Sequence, residues 1–177
     1  MALSATIYKV SLNVADTDRH FYRDFELTVA KHPSETVERM MMRIAVFALH
    51  ADERLAFTKG IVHEDEPDLW QIDYGGEIER WIDLGQPDEK RVRKACGRAR
   101  EVHIYTYSRK AASAWWRQNA SKFARFDNLH VVHLDVEGNP EAMAERSMQL
   151  QANLMDGELT LLDERDNLLS VRPRPWE

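Results

Sequence analysis

Between residues 78 and 134, apolar strands alternate with amphipathic helices, and this order limits the possible folds more than any other feature of the chain. Strands are predicted at Ile78 to Leu84, Val102 to Tyr107 and Leu129 to Leu134, with helices at about Glu89 to Ala99 and Ala111 to Phe123. Asp88 directly precedes the first of these helices as its N-cap. Strands joined in this way need right-handed crossovers, so the sequence predicts an α/β fold with a mainly parallel or mixed central sheet flanked by helices.

Alternating patterns near both ends of the chain predict additional antiparallel hairpins. Apolar and polar residues alternate over 6–14 and 21–29, and strands are also predicted at 148–155, 158–162 and 168–172. Asp156-Gly157 is a residue pair typical of two-residue hairpin turns. We expect the terminal hairpins to form a second, antiparallel sheet beside the α/β core, within a single domain that covers residues 1–177.

A further helix is predicted after the N-terminal hairpin. Ser34 is its expected N-cap, Glu35 lies at the positive end of the helix dipole, and the helix extends to about His50. Its cluster of methionines is interpreted as a face that packs against a sheet, with a binding groove as the alternative. An acidic segment at residues 64–68 predicts a loop, and a second hairpin is predicted at 69–84.

The composition excludes several classes of protein. No apolar run approaches the roughly 20 residues that a membrane-spanning helix needs, and no secretion signal is present, so we expect a cytoplasmic protein. The chain lacks a Walker A loop, a dinucleotide-binding glycine fingerprint, a nucleophile elbow and zinc-type cysteine spacing. His130 and His133 are predicted on opposite faces of a strand, which argues against a shared metal. Cys96 lies on the apolar stripe of a helix and is interpreted as an inert thiol.

Charge is distributed unevenly along the chain, although the net charge is only −6. Residues 1–51 sum to 0, residues 52–85 to −7, residues 86–125 to +8 and residues 126–177 to −7. A divalent-metal phosphodiesterase uses such neighbouring segments, because carboxylates bind Mg²⁺ while Lys and Arg neutralise phosphate. The alternative is that both segments are solvated surfaces. Given this distribution, the acidic net charge does not argue against a phosphate-bearing partner.

Strand geometry selects among the carboxylates. Glu79 and Asp83 share a face of the strand at 78–84, but four residues at 3.3 Å each place them about 13 Å apart, too far to bind one ion. A single metal would therefore use Asp83 and a carboxylate from the partner strand or the preceding loop. Asp68, at the start of the partner strand, is the first candidate, with Asp73 behind it.

Long segments of the sequence resemble the bacterial YaeQ family. They are Ala2 to Lys9, Asn13 to Asp16, His32 to Met41, Ala51 to Leu55 and Trp81 to Arg91. The resemblance continues along essentially the whole chain, through Ala114-Trp115-Trp116 and Asn128-Leu129 to the last hairpin. It implies a variation on the PD-(D/E)XK nuclease core, a mixed sheet flanked by helices, in agreement with the order of elements above.

The resemblance also implies a metal-binding signature. Pro67-Asp68 resembles the PD element, and Asp83-Leu84-Gly85 lies where the (D/E)XK element belongs. Asp68 and Asp83 would then bind the metal. Gly85 occupies the position of the lysine that normally polarises the attacking water and the scissile phosphate, and this departure puts catalysis in doubt.

Other residues would have to replace that lysine. Gln86, Lys90 and Lys94 are available to orient water or bind phosphate. Lys90 and Lys94 share a helix face nearly opposite the apolar stripe, so they can equally be solvated. Glu38 on the first helix would complete the metal shell, with an ion pair to a neighbouring arginine as the alternative.

Two adjacent tryptophans lie on a predicted helix that carries several cations. Trp115 and Trp116 precede Arg117, and Lys110 and Lys122 lie on the same helix. Aromatic side chains interleaved with cations can stack on nucleic-acid bases. Adjacent helical residues point about 100° apart, so one tryptophan is expected in the core and only the other is available to bind.

These features leave two hypotheses about function. The first is a phosphodiesterase that depends on Mg²⁺ or Mn²⁺ and acts on DNA or RNA. The second is a catalytically degenerate nuclease fold that acts as a nucleic-acid-binding or protein-binding adaptor. Gly85 is the feature that favours the second hypothesis.

Overall fold

A computed structural model describes residues 4–59 and 65–177, which form ten strands and four helices with mixed, mostly antiparallel pairing. The elements are β1 (Thr6–Asp16), β2 (Phe21–Lys31), α1 (Val37–Leu49), β3 (Leu55–Phe57), β4 (Leu69–Ile72), β5 (Ile78–Leu84), α2 (Glu89–Arg98), β6 (Ala99–Thr106), α3 (Arg109–Phe123), β7 (Leu129–Glu137), α4 (Pro140–Met143), β8 (Ser147–Met155), β9 (Glu158–Leu162) and β10 (Leu168–Pro175). No helix in these described ranges is long and apolar enough to span a membrane.

The chain divides into two compact units. The first unit comprises Met1–Ala51 and Asp135–Arg172, and the second comprises Asp52–Leu134 and Pro173–Glu177. That residues 1–177 act as a single domain stays a prediction.

The first unit contains strands in the order β2-β1-β8-β9-β10. β1 and β2 form the predicted antiparallel hairpin, and the turn between β8 and β9 is confirmed by the positive φ of Asp156 and Gly157, 53° and 77°. The terminal strands also join, but β1 and β8 run parallel, with Lys9 opposite Ser147. The expectation of a purely antiparallel arrangement is therefore wrong, because alternation identifies the buried face of a strand but not the direction of its partner.

Helix α1 supplies much of the core of the first unit. Every residue from Met40 to Ala48 is buried, which confirms that the methionine cluster is a packing face. The helix begins after Thr36, whose Oγ1 accepts the backbone N–H of Arg39 at 3.1 Å. The expectation that Ser34 is the N-cap is therefore wrong, since its hydroxyl is hydrogen-bonded to Nδ1 of His32 at 2.7 Å.

A buried ion pair fixes the segment before α1. Glu35 and Arg43 are only 4% and 5% exposed. Arg43 donates from Nε and Nη2 to the two carboxylate oxygens of Glu35 at 2.9 and 2.6 Å, and Arg39 donates to Glu35 at 2.8 Å. Nη2 of Arg43 also donates to the carbonyl of Ala30 in β2 at 2.9 Å. These bonds connect α1 to the end of β2.

Gly138, which follows β7, approaches the backbone of β10 closely within the first unit. Its φ is +111°, and a Cβ atom placed on it would lie 2.5 Å from the carbonyl oxygen of Leu168. Both the conformation and the space at this position therefore require glycine.

The second unit contains strands in the order β7-β6-β5-β4-β3. β5, β6 and β7 are parallel, and α2 and α3 connect them, which confirms the predicted strand and helix order. β4 and β5 form the predicted hairpin, and β3 adds a short strand that was not predicted. Of the predicted acidic loop, residues 65–68 form turns and bends outside any strand or helix, whereas Glu64 lies outside the described residues.

One apolar cluster lies between the sheet and the helices of the second unit. Its fully buried members are Trp81, Val92, Ala95, Ala99, Val102, Ile104 and Phe123. Because α2 and α3 both pack against this cluster, they lie on the same side of the parallel strands. Cys96 is packed against it, and burial raises the pKa of its thiol to about 11, so the thiol stays protonated at neutral pH.

Candidate functional site

Asp83 lies near the end of β5 with its carboxylate buried. It is 4% exposed and shares a face with Trp81, whose Nε1 donates to Oδ2 of Asp83 at 3.1 Å. Arg91 of α2 donates from Nε to Oδ2 at 2.9 Å and from Nη2 to Oδ1 at 3.0 Å. A single guanidinium therefore engages both carboxylate oxygens of Asp83.

The position of Arg91 follows from the start of α2. Its backbone N–H is capped by Oδ1 of Asp88 at 2.8 Å, as predicted, and its guanidinium also donates to the carbonyl of Glu66 at 2.9 Å. Burial disfavours the charged guanidinium, but the hydrogen bonds and charge of Asp83, with smaller contributions from Asp68 and Asp88, raise the pKa of Arg91 above its usual value. Arg91 was not predicted from the sequence, although a buried carboxylate needs a cation and Arg91 lies in the first turn of the next helix.

Asp68 is the second buried carboxylate of the hairpin, with 6% exposure. Its Oδ2 accepts the backbone N–H of Leu84 at 2.8 Å, and its own N–H donates to the carbonyl of Ile82 at 3.0 Å. Leu69 pairs with Ile82, so continuing the antiparallel register by one residue places Asp68 opposite Asp83. The structure therefore brings the two predicted metal-binding residues together.

The residues that would replace the missing lysine have different surroundings. Gly85 has a φ of +103° and donates its N–H to the carbonyl of Tyr105 at 2.8 Å. Gln86 and Lys90 are exposed. Lys94 is also exposed, and its Nζ pairs with Oδ1 of Asp65 at 2.6 Å. Catalytic roles for Gln86, Lys90 and Lys94 stay predictions.

The arrangement around Asp83 does not fit Mg²⁺ or Mn²⁺ as it stands. Arg91 engages both oxygens of Asp83, and an N–H group bonds one oxygen of Asp68. In residues 4–59 and 65–177, no group of three or more His, Cys, Asp or Glu side chains is placed to hold a metal ion. Glu38 lies in the first turn of α1 in the first unit, and its role as a metal ligand stays a prediction.

The adjacent acidic and basic segments of the sequence pair extensively with each other. Besides Asp83 and Arg91, these pairs are Asp65 with Lys94, Asp73 and Glu77 with Arg100, and Arg80 with Glu101. The hydrogen bond from Lys94 lowers the pKa of Asp65 below its usual value. Much of the acidic segment is thus neutralised within the second unit, and the remaining positive charge lies on the helices.

Helices α2 and α3 together carry nine Lys or Arg residues and only one acidic residue. Five of these cations are exposed and form neither an ion pair nor a side-chain hydrogen bond within the described part of the chain. They are Lys90, Arg93, Lys110, Arg117 and Lys122. Since both helices pack on the same side of the parallel strands, they form a basic layer, which we call the α2–α3 surface.

The adjacent tryptophans of α3 make different contacts. Nε1 of Trp115 donates to the carbonyl of Pro87 at 2.8 Å, and its ring lies 5.5 Å from that of Phe123. Nε1 of Trp116 donates to the carbonyl of Glu177 at 3.1 Å, and its ring stacks on that of Trp176 with centroids 5.9 Å apart. Both tryptophans are half-buried, so the expected division into one core and one available residue is too simple.

The histidines of β6 and β7 lie in different surroundings. His103 and His130 stack with ring centroids 4.8 Å apart, whereas His133 is buried with its Nδ1 2.8 Å from Oγ1 of Thr106. Burial lowers the pKa of His103 to about 4, so its ring is neutral at neutral pH. His103 therefore adds no positive charge to the second unit under neutral conditions.

The fold and the site together define an α/β protein in which two buried carboxylates end a strand hairpin and two basic helices follow. The chain matches the family model described as YaeQ protein over residues 1–171, and it belongs to the YaeQ family. This confirms the family resemblance of the sequence.

Relatives and solved structures cover nearly the whole chain or all of it. It is 50% identical to "Uncharacterized protein YaeQ" of Escherichia coli (strain K12) and 49% identical to the protein of that description from Salmonella typhi, over 100% of this chain and 98% of each relative. The crystal structure of YaeQ protein from Xanthomonas axonopodis pv. citri is similar, with a TM-score of 0.93 at 42% identity, over 98% of this chain and 99% of that chain. The crystal structure of YaeQ protein from Pseudomonas syringae is also similar, with a TM-score of 0.89 at 27% identity, over 98% of this chain and 96% of that chain.

Proposed function

We propose that this protein binds the phosphate backbone of nucleic acid through the α2–α3 surface, in the cytoplasm, and does not cleave it. The observation that supports the proposal most is that these two adjacent helices have nine Lys or Arg residues and only one acidic residue. We further infer that the second unit is a variant of the PD-(D/E)XK nuclease core. A mixed sheet with flanking helices, and a hairpin that carries Asp68 and Asp83, support that inference.

Two features argue for binding without catalysis. Arg91 holds both oxygens of Asp83, so a metal could bind this carboxylate only by displacing a bidentate guanidinium. Gly85 provides no side chain at the usual lysine position, and its φ of +103° is one that residues with a Cβ atom rarely adopt. The remaining cations can neutralise phosphate without taking part in bond cleavage.

Binding should depend strongly on salt. Each neutralised phosphate releases counterions, so five contacts predict a slope of log K against log salt concentration of about −4.5 for duplex and about −3.5 for single strands. Fluorescence anisotropy with labelled single-stranded DNA, duplex DNA and RNA over 50 to 200 mM salt, roughly the range in which such contacts weaken most visibly, measures this slope.

The triple variant Lys90→Glu, Arg93→Glu and Arg117→Glu is expected to weaken binding at least about tenfold, because it removes three phosphate contacts and adds repulsion. Its control is Lys9→Glu, Arg23→Glu and Lys31→Glu in the first unit, which changes the net charge equally. Equal losses of affinity in the two variants would show that only the net charge of the protein affects binding, and the α2–α3 surface would not be the binding site. If no nucleic acid binds, the proposal fails. The adaptor hypothesis would then require a protein as the partner.

The second candidate function is a phosphodiesterase that depends on Mg²⁺ or Mn²⁺. The placement of the buried Asp68 opposite Asp83 favours it. Our proposal predicts no cleavage of single-stranded, duplex or branched DNA or of RNA with either metal. Cleavage that is lost in Asp83→Asn but kept in Glu79→Gln, a change at another carboxylate of the same strand, would establish the phosphodiesterase and overturn the non-catalytic assignment.

A further inference from the structure

An apolar groove of about 410 Å³ lies beside α3 in the second unit. Its main lining residues are aromatic or aliphatic, namely Trp116, Phe123, Phe126, Leu129, Val131 and Trp176. This volume is within the roughly 300 to 1,000 Å³ typical of small-ligand sites. The groove is therefore large enough to accept a planar aromatic group.

The two tryptophans of the groove are held in place by hydrogen bonds. Nε1 of Trp176 donates to Oγ1 of Thr106 at 3.0 Å, while Nε1 of Trp116 bonds the carbonyl of Glu177. Their rings are tilted by only 29° with centroids 5.9 Å apart. Since both polar N–H groups are satisfied within the protein, the rings offer the groove an apolar, preorganised surface.

Cations lie close to this aromatic surface. The guanidinium of Arg109 is 5.8 Å from the Trp176 ring centroid, and that of Arg125 is 4.8 Å from the Phe126 centroid. Arg125 also pairs with Glu89. Helix α3 itself carries four cations and no acidic residue. The charge beside the groove therefore suits an aromatic ligand that carries phosphate.

We propose that this groove binds an unstacked base of single-stranded nucleic acid while cations of α3 neutralise the adjacent phosphates. This inference rests on the proposed nucleic-acid-binding function and specifies the single strand as its ligand. Stacking on tryptophan requires an exposed base face, which a paired base in a duplex does not offer. Glu177, which also lines the groove, opposes binding through its charge.

The experiment compares two probes of equal length and charge, an oligothymidylate and an abasic oligonucleotide with the same phosphates. The protein is expected to bind oligothymidylate about tenfold more tightly, because base stacking on aromatic side chains adds to phosphate neutralisation. Equal affinities for the two probes would overturn the stacking proposal but keep the proposed function. Failure to bind either probe would overturn both.

Variants then locate the stacking site. Trp176→Ala should lower affinity for oligothymidylate about tenfold and leave affinity for the abasic probe unchanged, which also shows that the variant is folded. The control Tyr74→Ala removes an aromatic residue that is 93% exposed and outside the groove, and it should change neither affinity. Glu177→Gln should strengthen binding of both probes. A dimer in sedimentation that is lost in Trp176→Ala would instead assign the groove to a second copy of the chain.

Discussion

Glu35→Ala is expected to lower the free energy of unfolding by about 3 to 5 kcal/mol. The carboxylate accepts hydrogen bonds from both Arg43 and Arg39, and the side chain of Arg43 is only 6% exposed. Removing it leaves a buried guanidinium without its partner, which costs far more than the loss of an average contact. Urea unfolding followed by circular dichroism measures the change.

Two controls test the physical reason for this loss. Glu158→Ala removes one partner of an exposed ion pair with Arg172 in the same unit and should cost no more than about 1 kcal/mol. The double variant Glu35→Ala and Arg43→Met removes both charges and should be less destabilising than Glu35→Ala alone. If Glu35→Ala lowers the free energy of unfolding no more than Glu158→Ala does, the buried ion pair does not stabilise the connection between α1 and β2.

Gly138→Ala is expected to lower the free energy of unfolding by about 3 kcal/mol, since strain at positive φ and overpacking each cost about 1 to 3 kcal/mol. The added Cβ would meet the carbonyl oxygen of Leu168, a backbone atom that cannot rotate away. For a chain of this length, that loss corresponds to a fall in Tm of roughly 6 to 12 °C.

Gly157→Ala distinguishes the cost of the backbone conformation from the cost of the steric clash at Gly138. Gly157 also has a positive φ, +77°, but a Cβ atom there would have no neighbour within 4 Å. This variant should therefore lose only about 1 to 2 kcal/mol, the cost of the left-handed conformation. Equal Tm values for the two variants would mean that the close approach to Leu168 contributes nothing.

The parts of the fold that depend on local pattern were predictable. Alternation and helical spacing identified the hairpins and the strand and helix order of the second unit, and Asp88 was correctly identified as a helix cap. The N-cap of α1 was not, because Ser34 and Thr36 have similar hydroxyls and only the structure shows that His32 engages the first. The three-residue strand β3 is too short to show a period.

The part of the site that strand pairing determines was predictable from the sequence. Asp68 and Asp83 were paired from their positions on a hairpin, and the structure brings them together. Arg91 was not predicted, because a carboxylate that binds a metal and one that pairs with an arginine look the same in the sequence, and only the structure shows Arg91 on Asp83. The contribution of Trp176 was also missed, since a residue near the end of the chain reaches α3 only through tertiary contacts that no local pattern reports.

The parallel pairing of β1 with β8 has a consequence for the order of events during synthesis. Lys9 cannot pair with Ser147 until more than 130 further residues have been synthesised. At a synthesis rate of about 5 to 20 residues per second, this delay is roughly 7 to 28 s. In this interval the N-terminal hairpin presents one edge of β1 without its neighbour. A nascent chain stalled before β8 is therefore open to edge-to-edge aggregation, a hazard that the completed first unit removes.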